Sequence, residues 1–550
     1  MSGRYTRREF LVLSGGVVLT GAALAAAHPN GARASAQGVT AEPMRALEPN
    51  PTPGGVLRTA WGATPPHYDI HQGANADVLT HLYDGLVTRN VPDGLRSISA
   101  GLATSWETAP DGLTHTFRLR EGVSFTDGMP LTADDVVASF SRIAFPPEGM
   151  VSIYKDELGP VTKVEAVDPL TVRFTLSQPW PPFMEVLSNP YMIVYSKKAL
   201  DENKNDLRQV IAPGTGPFLY VEHATGERWV FERNPNYWNT GLPYVDRLEM
   251  LHVPVWTDRG TAILTGQADF SINVSPQTWE EGKARGNLQA FQVPCLNSHT
   301  AIINNQRKPF DDPRVRRAVH LAVSRQNMFQ AIATQEPVFV TRWMPSVSPY
   351  ATPADQLATM PGYRADKEED IAEAQRLMAE AGYGDGVKDV DLLTASDPQH
   401  AELNGPAFQD ELRRTLNIEA TIRTVERGLL TEEYKKGEFG IIVEGRYASN
   451  YVDPTILWNA NLKTGASQNW SRYSNPAFDE LLAKITVETD EAKRQDLFNQ
   501  GMAMLDENPP FFLIGFCAHS PMAQGNVRGL ALDKRLFSQG GRMETAWFEQ

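Results

Sequence analysis

The segment 445–473, GRYASNYVDPTILWNANLKTGASQNWSRY, is the part of the sequence best suited to binding chemistry. It is dense in Tyr, Trp and Asn and holds few aliphatic residues. Flat rings stack on a bound molecule while amides fix its polar groups, a combination typical of ligand clefts. Composition alone is equally consistent with an irregular surface loop. The segment is therefore a candidate binding loop.

A second group of side chains that could take part in binding is His67, Asp69 and His71, whose spacing comes close to that of metal ligands. Pro65 and Pro66 directly precede the group and disfavour a helix there. We therefore favour a structural role in a loop, and no metal site is predicted.

Sequence motifs of catalysis are absent. The chain contains no G-x-S-x-G, H-E-x-x-H or G-x-x-x-x-G-K-[ST] motif, and no G-x-G-x-x-G that opens a helix. A net charge of −15 disfavours nucleic acid, which is bound by clustered Lys and Arg. The basic run at 314–317 is offset by Asp311 and Asp312 and is typical of a solvated helix face. We expect no enzyme, no cofactor and no nucleic-acid partner.

The stretch 101–140 shows how local elements would position such groups. Residues 114–120 alternate apolar and polar side chains, which predicts a half-buried strand. Asp-Gly pairs at 111–112 and 127–128 predict turns on either side. Thr132 and Asp135 then have the spacing of a capping box, and a helix is expected to follow them.

Strands and helices are mixed along the rest of the chain, which indicates an α/β protein. A strand is predicted at 56–61, a short helix at 77–86 and a hairpin at 162–167 and 171–176. In the second half, helices are predicted at 312–323 and at 366–381, the latter with Glu369 at the capping-box position. The length of 550 residues allows two or more domains.

The N-terminal residues 1–36 are interpreted as an export signal. TRREFL at 6–11 is a twin-arginine signature, the run 11–27 is apolar, and Ala34-Ser35-Ala36 offers a cleavage site. A membrane anchor is less favoured because 17 residues rich in Gly and Ala fall short of the ~20 that a span needs. No Cys lies at the cleavage site, so no lipid anchor is expected. Residues 37–53 lack periodicity and are interpreted as a disordered leader.

Several longer motifs share one resemblance. They are LATSWE at 102–107, DGLTHTFRLREGVSFTDGMPLTADDVVASF at 111–140, GTGPF at 214–218, RNPNYW at 233–238, PYVDRLEM at 243–250, PFDDPRVRRAVHLAVSR at 309–325 and YSNPAFDELL at 473–482. In this order they resemble the family 5 extracellular solute-binding proteins, the peptide, dipeptide and nickel receptors of bacterial ABC importers. The resemblance runs from about residue 54 to residue 510.

The resemblance implies a two-lobed periplasmic-binding-protein fold of type II, in the large class with an extra subdomain, with mixed sheets flanked by helices. The first lobe would span 54–296, with the extra subdomain at roughly 88–210. The second lobe would span 297–514, and residues 515–550 would return to the first lobe. The protein would be a monomeric periplasmic receptor that closes on a peptide or peptide-like solute and serves an importer's permease and ATPase subunits.

The resemblance also implies where the solute lies. Tyr447 and Asn450 occupy the positions of an aromatic cleft residue and of an aspartate that pairs with a peptide's amino terminus. The candidate contacts from this segment are Arg446, Tyr447, Ser449, Asn450, Tyr451, Asp453, Trp458 and Trp470. Those from other segments are His67, Tyr68, His71 and Trp343.

Asn450 departs from the family pattern because an amide supplies no charge to an ammonium group. A peptide with a free amino terminus is therefore in doubt unless Asp453 replaces that charge. A nickel ligand is disfavoured, since no His lies between 401 and 518. Alternatives are an opine, a saccharide or a metal chelate as solute, an exported hydrolase, or a protein that holds unfolded chains.

The chain has two cysteines, Cys295 and Cys517. In the family that the chain resembles, both fall where the chain crosses between the lobes. The hypothesis is that the crossing strands lie side by side and that a disulfide joins them. Two independent buried thiols are the alternative.

Overall fold

The structure of the protein is a computed structural model. It describes residues 39–40, 50–73, 76–89, 97–332, 337–396, 401–426, 429–445, 447–448, 451–530 and 542–550.

The strands are, in chain order, β1 (Val39–Thr40), β2 (Val56–Trp61), β3 (Val87–Arg89), β4 (Ile98–Ala100), β5 (Ala103–Thr108), β6 (Thr114–Leu119), β7 (Val161–Asp168), β8 (Thr171–Leu176), β9 (Phe218–Ala224), β10 (Arg228–Arg233), β11 (Arg247–His252), β12 (Phe270–Ser271), β13 (Leu288–Ala290), β14 (Val293–Ile303), β15 (Val338–Phe339), β16 (Val387–Ser396), β17 (Ile418–Glu426), β18 (Ile441–Gly445), β19 (Phe512–His519), β20 (Met522–Gln524), β21 (Val527–Arg528) and β22 (Trp547–Phe548).

The α-helices are α1 (Ala133–Ala144), α2 (Phe183–Leu187), α3 (Lys197–Glu202), α4 (Trp256–Leu264), α5 (Pro276–Arg285), α6 (Pro313–Ala322), α7 (Arg325–Ile332), α8 (Ala354–Leu357), α9 (Glu368–Glu380), α10 (Ala401–Leu416), α11 (Leu430–Lys436), α12 (Pro454–Asn461), α13 (Pro476–Val487) and α14 (Glu491–Glu507). Within the described ranges, no helix combines the length and the apolar character needed to cross a bilayer.

Three larger sheets organise the described part of the chain. One has the order β1-β5-β6-β8-β7 and is antiparallel throughout. A second has the order β13-β20-β12-β2-β11-β10-β9, in which β2 runs parallel to both of its neighbours. A third has the order β15-β19-β14-β18-β16-β17. We call the first two sheets with their helices the first lobe, and the third sheet with its helices the second lobe.

Each lobe buries its own apolar core. Phe117, Phe140 and Phe174 are fully buried in the first lobe, where α1 packs on β7 and β8. Ile442, Trp458 and Phe498 are fully buried in the second lobe. The residue boundaries of the lobes given above remain a prediction.

Local sequence signals account for many of these elements. The alternation at 114–120 forms β6, and Gly112 and Gly128 take φ values of +70° and +83° in the predicted turns. The N–H of Thr132 donates to the Asp135 carboxylate over 2.8 Å at the start of α1, which confirms the predicted capping box. Strand β2 has the predicted bounds.

Three local predictions differ from the structure. The short helix predicted at 77–86 is a 3-10 helix that ends at Leu82. Glu369 accepts from Arg364 over 2.6 Å instead of completing a capping box, because α9 begins only after Lys367. Two residues of the predicted disordered leader, Val39–Thr40, pair with β5, so the leader is not wholly irregular.

The chain passes between the lobes along β14 and β19, which are antiparallel neighbours. Pro294 pairs with Ala518, which places Cys295 beside Cys517. A disulfide joins these two residues, with their Cα atoms 5.6 Å apart. The disulfide hypothesis is confirmed, and the alternative of two independent thiols is wrong.

Candidate functional site

The loop that connects β18 to α12 is the centre of the candidate site. It leaves β18, an interior strand of the second-lobe sheet between β14 and β16. It ends at Asp453, whose carboxylate accepts the N–H of Thr455 over 2.8 Å and caps α12. Pro454 follows at the first helical position, where its missing N–H costs nothing. The Asp-Pro pair thus fixes where the loop ends.

Backbone N–H groups of this loop bind the first lobe directly. The N–H of Val452 donates to Oε1 of Glu185 over 2.8 Å, and the N–H of Asp453 donates to Oε2 over 3.1 Å. Glu185 belongs to α2 and is 6% exposed. One buried carboxylate therefore accepts two hydrogen bonds from the other lobe.

Tyr451 extends from the same loop into the first lobe. Its side chain is part of the first-lobe core and is 1% exposed. Its hydroxyl donates to the carboxylate of Glu157 and accepts from Nδ2 of Asn189 over 2.9 Å. Burial raises the pKa of Tyr451 well above its usual value, and the charge of Glu157 raises it further. The phenol therefore stays protonated at neutral pH.

Tyr447, Trp343 and Trp458 form the base of the loop. The carbonyl of Trp343 accepts from the Tyr447 hydroxyl over 2.6 Å and from Nε1 of Trp458 over 3.0 Å. All three side chains are fully buried in the second-lobe core. The Trp343 indole donates to Asp506 over 2.6 Å. In this structure these side chains support the loop, and their role as solute contacts stays a prediction.

Asp453 already has a cationic partner. Its Oδ2 lies 2.6 Å from Nη2 of Arg494, whose side chain is 2% exposed. The guanidinium of Arg494 also donates to the Tyr350 hydroxyl and to Oγ1 of Thr455 over 2.9 Å each. This network holds the end of the loop on α14.

The remaining candidates from the segment have different positions. Trp470 stacks on Tyr434, with ring centroids 5.1 Å apart. Arg446, Ser449 and Asn450 lie outside the described residues.

His71 and Asp69 are interior groups of the first lobe. Both are fully buried, and Arg142 pairs with the Asp69 carboxylate through two nitrogens, one of them at 3.0 Å. Burial opposes ionisation of Asp69, but Arg142 outweighs it, so the pKa of Asp69 is lowered. Nε2 of His71 lies 3.1 Å from the Ile193 carbonyl, while burial and Arg142 lower the pKa of His71 to about 3. Both side chains are thus held by partners inside the first lobe, and the role of His71 as a solute contact stays a prediction.

His67 and Tyr68 lie closer to the surface. Nδ1 of His67 accepts the N–H of Asp69 over 3.3 Å. The Tyr68 ring meets Trp229 edge-on, with centroids 5.9 Å apart, and its hydroxyl lies 3.5 Å from Nδ1 of His223. Tyr68 also lines a first-lobe cavity of about 490 Å³. Their role as solute contacts stays a prediction.

The sequence interpretation missed Glu185, Glu157 and Asn189. A signal exists for Glu185, because it is the single charged residue in the otherwise apolar α2, FMEVL. A carboxylate in such a helix is buried only with a partner. The partner itself is 267 residues away, so nothing local identifies it.

Comparisons with known proteins place this geometry in context. The family model described as "Bacterial extracellular solute-binding proteins, family 5 Middle" matches residues 97–468. The periplasmic oligopeptide-binding protein OppA of Salmonella typhimurium is 27% identical over 472 residues, covering 82% of this chain and 85% of OppA. Heme-binding protein A of Haemophilus influenzae is 27% identical over 473 residues, covering 79% and 82%.

A solved structure of another protein has the same fold as this chain. The periplasmic binding protein DppA from Helicobacter pylori, in complex with the peptide STSA, matches with a TM-score of 0.72 at 24% identity. The match covers 91% of this chain and 99% of that chain. The predicted two-lobed periplasmic-binding-protein fold is thereby confirmed.

Replacing Asp453 by Asn tests the ion pair that holds the loop. Asn still caps α12 but leaves the buried Arg494 without its countercharge, and we expect the free energy of unfolding in urea to fall by about 3 kcal/mol. Asp312→Asn is the matched control, because Asp312 caps α6 before a proline in the same way but pairs with the half-exposed Arg314. Equal losses in the two variants would contradict the prediction.

His71 makes the free energy of unfolding depend on pH in the acid range. Its pKa of about 3 lies below the ordinary 6.5, so the unfolded chain takes up the proton first as pH falls. Its contribution to stability is complete above about pH 6.5 and is lost towards pH 3, with a slope of up to about 1.4 kcal/mol per pH unit. His71→Gln retains a donor for the Ile193 carbonyl and does not titrate. We expect a shallower pH dependence of urea unfolding in this variant, and an unchanged slope would refute the assignment.

Proposed function

The chain belongs to the bacterial extracellular solute-binding proteins of family 5, and we propose that it is the periplasmic receptor of an ABC importer for a peptide or peptide-like solute. The observation that carries the proposal is the loop between β18 and α12, which is built on one lobe and bound by the other. A solute held beside that loop would contact both lobes.

The mechanism is closure of the two lobes about β14 and β19. Contacts made by a solute to both lobes exist only when the lobes are closed, so binding shifts the population towards the closed state. The receptor makes and breaks no bond. Its partners are the permease and ATPase subunits of the importer, and it acts as a monomer.

The charges of the loop limit the kinds of solute that it could bind. Asn450 stands where peptide-binding relatives supply an aspartate to an amino terminus, and Asp453 is paired with Arg494. Neither residue offers an uncompensated carboxylate to an ammonium group. This favours a peptide whose amino terminus is blocked or modified, or whose amino terminus is recognised by neutral acceptors.

OppA supports a peptide as the solute, while the equally similar heme-binding protein supports a non-peptide alternative. The alternatives kept from the sequence are an opine, a saccharide and a metal chelate. An exported hydrolase is disfavoured because the family is one of binding proteins.

Calorimetric titration with Ser-Thr-Ser-Ala and its N-acetyl form tests the proposal. We expect acetylation to weaken binding by less than about tenfold, since no charge-assisted hydrogen bond to the amino terminus is lost. Loss of binding on acetylation would contradict the charge argument. A co-purifying non-peptide mass in native mass spectrometry, with neither peptide bound, would favour the alternative solutes, and cleavage of the peptide would reject the receptor.

We further propose export by the twin-arginine route without a lipid anchor. The support is TRREFL at 6–11, the apolar run that follows and the lack of a Cys at the cleavage site. Replacing Arg7 and Arg8 by Lys is expected to retain the uncleaved precursor in the cytoplasm, as measured by fractionation.

A further inference from the structure

We propose that Glu185 and Tyr451 form a latch that holds the lobes closed in the absence of solute. The inference rests on the proposed receptor function. It adds that the receptor already populates the closed state before a solute binds. The solute then stabilises closure further and does not have to supply all of its free energy.

Glu185 provides the charged part of the latch. Its two carboxylate oxygens accept from consecutive backbone N–H groups at 2.8 and 3.1 Å, and both bonds cross from one lobe to the other. Hydrogen bonds to an ionised acceptor are about twice as strong as neutral ones. Because Glu185 is 6% exposed in this structure, water competes weakly for its carboxylate.

Tyr451 provides the apolar part. The ring lies among first-lobe core residues although its backbone belongs to the second lobe, and Ile456 of α12 packs against the same core. The hydroxyl is bonded to Glu157 and Asn189 inside the first lobe. Opening the lobes would return a large, buried aromatic side chain to water, which costs free energy in proportion to its apolar area.

The loop cannot follow the first lobe away from its own base. Arg494 holds Asp453 on α14, and the Asp453 carboxylate caps α12. On the other side of the contact, the Asn189 side chain accepts the N–H of Tyr191 over 3.1 Å, which fixes it in the first lobe. Since both sides are anchored, separation of the lobes must break the Glu185 and Tyr451 contacts themselves.

The latch sets the apparent affinity for solute. An affinity measured for a receptor whose binding-competent state is fractionally populated is reduced by that fraction. Loss of the latch lowers the closed fraction of the empty receptor. The solute then binds more weakly although none of its own contacts has changed.

The test compares Glu185→Gln and Tyr451→Phe with the wild-type protein. Gln keeps the size of Glu but loses the charge and one acceptor oxygen, and Phe removes only the hydroxyl. The matched controls are Glu165→Gln and Tyr220→Phe, which alter half-exposed or exposed side chains of the first lobe away from the loop. Thermal unfolding establishes that each variant is folded.

Three measurements are made on each protein. Small-angle X-ray scattering without solute gives the radius of gyration, which we expect to match this structure in the wild type and to increase in both latch variants. Hydrogen exchange reports the amides of Val452 and Asp453, which we expect to exchange about tenfold faster in Glu185→Gln. Titration with Ser-Thr-Ser-Ala is expected to give an affinity about tenfold weaker in Glu185→Gln, equivalent to about 1.4 kcal/mol.

The outcomes separate the latch from the proposed function. A solute-free wild type more extended than this structure, or latch variants that match the controls in scattering and exchange, would overturn the latch even where the peptide binds. Differences in scattering and exchange without any peptide binding would support the latch and reject the peptide as solute. If Glu185→Gln is unfolded, Tyr451→Phe carries the same comparison.

Discussion

The pairing of β14 with β19 is the constraint on which the arrangement of the two lobes depends. These antiparallel strands carry the chain from the first lobe to the second and back, and the disulfide between Cys295 and Cys517 joins them. Every residue of β19 is buried, between β15 and β14. Because both crossings lie side by side in one sheet, the two lobes are joined at one place. The loop after β18 leaves the strand next to β14 and meets Glu185 of the first lobe.

Buried charges position the parts of the candidate site, and each of them is compensated. Asp69 is paired with Arg142, Asp453 with Arg494, and Asp506 with Arg342 and the indole of Trp343. A charge taken out of water costs several kcal/mol unless a partner and hydrogen bonds replace the water. Each pair therefore specifies one arrangement of the segments that carry it. Glu185 follows the same rule, with backbone N–H groups in place of a cation.

The dense aromatic composition of 445–473 has two uses in the structure. Tyr447 and Trp458 bond to the carbonyl of Trp343 and fill the second-lobe core. Tyr451 fills the first-lobe core instead. Side chains of one short segment thus contribute to both lobes, since their polar tips find partners on each side of the junction. Composition predicts a binding segment here but does not indicate this division.

Local patterns predicted the elements that depend on nearby residues. The alternation that forms β6, the Asp-Gly turns and the Thr132–Asp135 cap all act within a few residues of one another, and the structure confirms them. The capping box predicted at Glu369 does not form, because α9 begins at Glu368, whose N–H donates to the Asp366 carboxylate, while Glu369 pairs with Arg364 of the preceding loop. The short helix predicted at 77–86 ends at Leu82 and is a 3-10 helix, and all six of its residues are buried.

By itself, the sequence determined the family and the mixed α/β architecture, because motifs, periodicity and turn residues lie in neighbouring positions. Only the tertiary structure decided that His71 lies in the interior, that Asp453 is committed to Arg494 and that Tyr451 enters the opposite lobe. Glu185 and Val452 are 267 residues apart, and no local property of either residue predicts its contact with the other. They come into contact because of the way in which the two lobes are joined. The buried Glu185 carboxylate then accepts hydrogen bonds from the N–H groups of Val452 and Asp453.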